Sequence, residues 1–211
     1  MADTSDAPQQ PQIYLITPPS FDLQIYPDLL ARVLDAQQVA CVRLALASKD
    51  EDGIARGADA LREVTHARDV ALVIESHILM VERLGLDGVH LTDGARSVRK
   101  VRKDLGPDAI VGAFCAANRH EGMSAGEAGA DYISFGPVGA SPLGDGTQVP
   151  MDVFEWWSEI IEVPVVAEGA LTDDLIRALA PVSDFIAFGD EIWSKDDPAA
   201  ELARLSALMT V

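Results

Sequence analysis

The chain has 211 residues, of which 48% are hydrophobic, and a formal net charge of −18. This length is usual for one domain, and so negative a charge disfavours binding to nucleic acid or to anionic membranes. No basic and apolar leader opens the chain and no apolar run approaches the roughly 20 residues of a membrane span, so we expect an acidic cytoplasmic protein.

The first eleven residues, MADTSDAPQQP, are polar, acidic and proline-bearing. They predict a disordered N-terminal tail over residues 1–11, followed by one folded domain over residues 12–211. The two cysteines, Cys41 and Cys115, lie in or beside apolar runs and have no metal-type spacing, so both are expected to be reduced thiols.

Eight short apolar runs follow in chain order, and each is separated from the next by a segment with helical spacing. The runs span residues 13–17, 41–46, 70–75, 88–91, 109–114, 132–137, 164–169 and 184–190. Their length and their β-branched and aromatic residues favour buried parallel strands. Several of the segments between them begin with Ser, Thr, Asp or Pro and end at Gly or Pro, as helices do.

This strict strand-then-helix order predicts a parallel sheet, and eight such units predict a compact single-domain (β/α)₈ TIM barrel. An open doubly wound sheet is the alternative. Three strands share an Asp just before the strand, in the stretches GLDGVHL, GADYISF and VSDFIAF. This repeated feature favours the barrel.

In a barrel of this kind the active site lies where the strands end. Four strand ends carry a carboxylate, and Arg43 is the only fixed cation among them. The four are Glu75, Asp93, Glu168 and Asp190. Clustered carboxylates raise one another's pKa or recruit a cation, so the pattern predicts a small-molecule or cation site, with side chains that diverge into solvent as the alternative.

The loop after the sixth strand, GPVGASPLGDGT, is glycine-rich and includes Gly136 and Gly139. Such a loop often holds phosphate, yet this one has no Lys, Arg or His and carries Asp145. Two histidines lie near other strand ends. His77 opens a helix, where a surface role and a binding role remain equal alternatives, and His90 lies in an apolar strand, as core histidines do.

Seven stretches match one family: IYLIT, CVRLAL, LGLDGVHL, VGAFC, GADYISFGPV, VPVVAEGAL and SDFIAFGDEIW. Over residues 12–208 the chain resembles the thiamine-phosphate synthase and thiazole tautomerase (TenI-like) superfamily. The resemblance implies a (β/α)₈ barrel. It also implies transfer of an aminopyrimidine diphosphate onto a thiazole phosphate with Mg²⁺ and loss of pyrophosphate, or isomerisation of a thiazole carboxylate phosphate.

The resemblance also implies site residues, although several family positions are substituted. Arg43 falls on the arginine of the Gln-x-Arg-x-Lys pattern, while Cys41 and Ala45 replace its Gln and Lys. The family's Asn-Asp pair after the third strand falls on Glu75 and Ser76, so one usual metal ligand is here a serine. Asp93 lies two positions before the second ligand, which is here Ala95. Glu75 and Asp93 are therefore the candidate Mg²⁺ ligands.

The remaining candidates follow from the strand-end positions and from the family motifs. Arg43 and Cys115 are the candidate catalytic residues. The candidate substrate-binding residues are Arg43, His77, Gly136, Gly139, Glu168, Gly169, Gly189 and Asp190. The loops after strands 7 and 8 commonly hold phosphate in this fold. Here Glu168 and Asp190 place carboxylates at that point, which predicts weak or absent binding of a thiazole phosphate.

Three functions are compatible with these motifs. The first is a transferase of the thiamine-phosphate synthase type. The second is a divergent barrel enzyme with another substrate. The third is a non-catalytic paralogue that binds a neutral or cationic small molecule. All three place the ligand at the C-terminal mouth of the barrel, and all allow a homo-oligomer.

Overall fold

The computed structural model describes residues 10–210, and eight parallel strands in it close into a barrel. The strands are β1 (Gln12–Ile16), β2 (Val39–Leu44), β3 (Ala71–Glu75), β4 (Gly88–Leu91), β5 (Ile110–Phe114), β6 (Tyr132–Phe135), β7 (Val165–Glu168) and β8 (Phe185–Phe188). Closure is direct, because β1 pairs in parallel with both β2 and β8. The predicted (β/α)₈ barrel is confirmed, and the predicted tail lies mostly outside the described residues.

Helices surround the barrel and connect its strands. They are α1 (Tyr26–Ala36), α2 (Glu51–His66), α3 (Ile78–Leu84), α4 (Val98–Leu105), α5 (Arg119–Glu127), α6 (Met151–Ile160), α7 (Asp173–Leu179), α8 (Asp190–Trp193) and α9 (Pro198–Ala207), with a 3-10 turn at Ala180–Val182. Within residues 10–210, none of them is long and apolar enough to cross a membrane.

The short helix α8 is one more helix than the eight predicted. It begins directly after Gly189, and its first turn is acidic, which suits the positive end of the helix dipole. It ends at Trp193, and Asp197 then caps α9 by accepting a hydrogen bond from the backbone of Ala200. The four residues of α8 are too few for a recognisable helical period.

Alternate strand residues face the helices or the inside of the barrel, as the pleat of a strand requires. The outward set packs against the helices as the main hydrophobic core. The inward apolar set is small: Tyr14, Cys41, Val73, Tyr132, Val166 and Ala187. Gly112 in β5 makes room for the ring of Tyr132, its pairing partner in β6, because a Cβ at Gly112 would overlap that ring.

The three aspartates that precede β4, β6 and β8 make the same hydrogen-bond contact with the preceding strand. Each carboxylate accepts a hydrogen bond from a backbone N–H at the start of the preceding strand. The contacts are Leu72 to Asp87 at 2.7 Å, Val111 to Asp131 at 2.7 Å and Val165 to Asp184 at 2.8 Å. These aspartates join neighbouring strands at the N-terminal face of the barrel, which in this fold serves stability.

Asp184 offers the simplest test, since Asp87 also contacts His66 and Asp131 also contacts Arg102. We predict that Asp184→Ala lowers the free energy of unfolding by about 1–3 kcal/mol, because the buried Val165 N–H loses a charged acceptor. Urea unfolding measures the change. Asp174→Ala, at an almost fully exposed position of α7, is the control. Equal losses in both variants would contradict the assignment.

Candidate functional site

A cavity of about 700 Å³ opens at the C-terminal ends of the strands. We call it the mouth cavity. It is lined by six of the residues predicted for the site: Arg43, Glu75, Glu168, Gly169, Gly189 and Asp190. The structure thus brings three of the four predicted carboxylates to one cavity with the predicted arginine. Its further walls come from the loop after β6, over residues 140–143, and from the loop after β7.

A buried ion pair forms the floor of the mouth cavity. Arg43 and Glu168 are only 5% and 1% exposed. Arg43 Nη2 lies 2.5 Å from Glu168 Oε2, and Arg43 Nη1 donates to Oε1 at 3.3 Å. Ser134 Oγ also donates to Glu168 Oε1. Burial alone would lower the pKa of Arg43, but the neighbouring Glu168 carboxylate raises it above its ordinary value, so the guanidinium stays charged.

A chain of hydrogen bonds leads from this pair into the barrel, and the arginine determines its direction. Arg43 Nη1 can only donate, so His90 Nε2, at 2.6 Å, accepts. His90 is therefore neutral and carries its proton on Nδ1, from which it donates to Tyr132 Oη at 2.9 Å. Tyr132 in turn donates to Tyr14 Oη at 2.8 Å. His90 is thus buried, as expected of a core histidine, but its partners lie on β2 and β6 and not on the strands that pair with β4.

Glu75 stands beside the ion pair at the edge of the mouth cavity. Its Oε2 lies 3.7 Å from Arg43 Nε, which is too long for a hydrogen bond. Arg43 Nε is buried and has no hydrogen-bond partner within residues 10–210. Burial raises the pKa of Glu75, Arg43 opposes this rise and Glu168 adds to it. The Glu75 side chain is 36% exposed, against 2% for that of Glu168, so a ligand in the mouth cavity can reach Glu75.

A fourth carboxylate lines the mouth cavity, and sequence reasoning missed it. Glu191 Oε1 accepts from the Leu171 N–H at 3.0 Å, and Oε2 accepts from the Gly189 N–H at 2.8 Å. We call these two N–H groups the amide cradle. The sequence predicted Asp190 at this point, because a family motif after strand 8 falls on Gly189 and Asp190, but the Asp190 side chain is exposed. The first turn of α8 instead directs the next residue back to the loops.

Five predicted site residues do not line the mouth cavity: His77, Asp93, Cys115 and, in the loop after β6, Gly136 and Gly139. His77 is half-buried at the start of α3. Asp93 is exposed and accepts a hydrogen bond from Ser97 Oγ at 2.6 Å. Cys115 is 2% exposed in the hydrophobic core, where burial raises the pKa of its thiol to about 12. Since the thiolate is the nucleophilic form of cysteine, this thiol is held in its unreactive form.

The glycine-rich loop after β6 uses its own amides. Gly136 N–H donates to Ala116 O at 3.3 Å, and Gly139 N–H donates to Gly169 O at 2.9 Å. Val138 N–H donates to Glu168 O at 3.0 Å. The bonds of Val138 and Gly139 hold the loop against the end of β7, and the bond of Gly136 holds it against the segment after β5. These three N–H groups are therefore already paired within the protein.

The residues present do not fit the Mg²⁺ site that the resemblance implies. Mg²⁺ takes six oxygen ligands, and proteins usually supply one or two carboxylates that face the same point together with substrate phosphates and waters. Glu75 is beside Arg43, whereas Asp93 lies outside the mouth cavity. Among residues 10–210, no three or more His, Cys, Asp or Glu side chains are grouped so that they could hold a metal ion.

Neutral His90 makes the stability of the protein depend on pH. Burial, with the nearby charge of Arg43, lowers the pKa of His90 well below its ordinary value. In the unfolded chain His90 therefore takes up a proton at about pH 6.5, whereas in the folded protein it does so only at lower pH. The contribution of neutral His90 to the free energy of unfolding is present above about pH 6.5. It is lost as the pH falls below this value, by up to about 1.4 kcal/mol per pH unit.

We predict that His90→Gln flattens the dependence of the unfolding free energy on pH between about pH 5 and pH 6.5. Urea unfolding across this range measures it. His120→Gln, which alters an exposed histidine, should keep the slope of the parent protein. If His90→Gln has the slope of the parent, His90 is not the group responsible.

Comparison with known proteins assigns the family. Residues 13–192 match the family model described as thiamine monophosphate synthase. A thiamine-phosphate synthase of Rhodospirillum centenum is 39% identical over 203 residues, which cover 94% of this chain and 97% of that protein. A thiamine-phosphate synthase of Erythrobacter litoralis is 38% identical over 196 residues, which cover 90% of this chain and 91% of that protein.

The fold has solved counterparts. The structure of a thiamine phosphate pyrophosphorylase from Pyrococcus furiosus superposes with a TM-score of 0.80 at 21% identity, over 96% of this chain and 98% of that one. Structural similarity at 21% sequence identity supports the shared barrel fold and no shared function. The family model and the relatives, which span nearly the whole sequence, show that this chain belongs to the thiamine monophosphate synthase family.

Proposed function

We propose that this protein acts in thiamine metabolism by binding a neutral or cationic aminopyrimidine or thiazole compound in the mouth cavity. The observation that carries the proposal is the pairing of Arg43, the only Lys or Arg side chain among the described residues that line the cavity, with Glu168. An arginine already neutralised by a buried carboxylate contributes little positive potential to an incoming phosphate.

The other charges of the mouth cavity support the same ligand class. Glu75, Asp190 and Glu191 add three carboxylates to its lining, and none of the described lining residues is a second fixed cation. A phosphate placed about 4 Å from one carboxylate is disfavoured by about 4 kcal/mol at an effective dielectric constant of 20. A protonated amine or a thiazolium is favoured by the same field.

We predict that the unphosphorylated thiazole alcohol and aminopyrimidine alcohol bind at least tenfold more tightly than the thiazole phosphate and the aminopyrimidine diphosphate. Isothermal titration calorimetry with each compound measures this. Glu75→Gln should weaken the binding of a cationic compound, since it removes the reachable carboxylate of the floor. Glu159→Gln, on the exposed face of α6, is the matched control. Tighter binding of the phosphorylated compounds would contradict the proposal.

The transferase reaction of the family is the second candidate function. It is favoured by the two thiamine-phosphate synthases that share 38–39% identity with this chain over at least 90% of its length. That reaction must stabilise a departing pyrophosphate, which takes cations or a metal ion. Mg²⁺ with Glu75 and Asp93 as its ligands is what the resemblance implies for this reaction, and the separation of these two residues argues against such a site.

Pyrophosphate release separates the two functions. With the aminopyrimidine diphosphate, the thiazole phosphate and MgCl₂ present, we predict no release above the rate without protein, because Arg43 is held by Glu168. The Erythrobacter litoralis relative provides a control for the assay. Release that requires this protein and Mg²⁺ would establish the transferase and overturn the binding proposal.

A further inference from the structure

The contacts of Glu191 differ in kind from those of the other carboxylates in the mouth cavity. Both of its oxygens are engaged by backbone N–H groups, and these groups come from two separate loops. Leu171 belongs to the loop after β7, and Gly189 to the loop after β8. A carboxylate bridging two amides from different loops is held as a bound anion would be.

The backbone around the amide cradle is shaped for this contact. Gly169 and Ala170 both have positive φ angles, 94° and 55°. This left-handed turn is unusual for alanine, and it leads directly to the Leu171 N–H that faces Glu191. In barrels of this class, the loops after strands 7 and 8, together with a short extra helix, commonly bind phosphate. Helix α8 is such an extra helix, and Glu191 is its second residue.

We propose that Glu191 is a specificity-determining residue, whose carboxylate fills the anion position of the amide cradle and thereby excludes phosphorylated ligands from the mouth cavity. The proposal rests on the proposed function and names the residue that enforces it. A phosphate that entered the amide cradle would have to displace Glu191 and then lie beside its negative charge. A neutral or cationic ligand meets neither obstacle.

Asp190 provides the matched comparison. It is adjacent in sequence, lines the same cavity and carries the same type of side-chain charge, but its exposed side chain accepts no bond from the amide cradle. Asp190→Ala and Glu191→Ala therefore remove equal charge from the cavity. Only Glu191→Ala leaves the Leu171 and Gly189 N–H groups open to an external anion.

The test uses inorganic phosphate with the full chain. Calorimetric titration is performed at constant ionic strength on the parent protein, Glu191→Ala and Asp190→Ala, with chloride as the reference salt. ¹⁵N-resolved NMR follows the Leu171 and Gly189 amides in the same samples. We expect Glu191→Ala to bind phosphate at least tenfold more tightly than the other two proteins, with shifts at both amides. Glu191→Gln, which keeps the shape of the side chain, should show a smaller gain in phosphate affinity. It is the variant to measure if Glu191→Ala does not fold.

Three results would overturn the proposal. The first is an equal gain in Asp190→Ala and Glu191→Ala, since it would show a general effect of charge. The second is phosphate binding by the parent protein with shifts at the Leu171 and Gly189 amides. The third is no gain in any Glu191 variant that folds.

These results are distinct from failure of the proposed function. That function fails if the unphosphorylated compounds do not bind the parent protein or bind it less tightly than the phosphorylated compounds, and inorganic phosphate takes no part in either measurement. The role of Glu191 fails only in the titrations with inorganic phosphate, performed on the parent protein and on the variants. Each idea can therefore be rejected while the other stands.

Discussion

The buried contact between Arg43 and Glu168 determines the character of the mouth cavity. Removing both charges from water is costly, and the cost is offset only when the pair has good geometry and further hydrogen bonds. Here two guanidinium nitrogens face the two carboxylate oxygens, and Ser134 and His90 complete the contacts. These four residues come from β2, β4, β6 and β7, so the network ties together strands on opposite sides of the barrel.

The same network governs what the mouth cavity can bind. Because Arg43 only donates, it sets the tautomer of His90 and, through His90, the hydrogen-bond directions of Tyr132 and Tyr14. Loss of one partner would leave a buried charge unpaired, which in proteins typically costs about 3–5 kcal/mol. The guanidinium is thus a structural cation of the floor, and the field felt by a ligand comes from the carboxylates around it.

The two faces of the barrel have different tasks. At the N-terminal face, Asp87, Asp131 and Asp184 join neighbouring strands by one repeated contact. At the C-terminal face, Glu191 accepts hydrogen bonds from one backbone N–H in each of the loops after β7 and β8. Function depends on the site that a fold presents, so membership of the family is compatible with a different ligand class.

The sequence by itself determined the barrel, the order of its strands and the three aspartates before strands, because these depend on local periodicity and on short-range patterns. It also placed Arg43, Glu75, Glu168 and Asp190 at strand ends that meet at one mouth. Only the tertiary structure decided which side chains touch. Arg43 and Glu168 are 125 residues apart, and Glu191, rather than Asp190, reaches the amide cradle. Such pairings depend on strand register, on closure of the barrel and on the turn of a four-residue helix, and a one-dimensional pattern carries none of these distances.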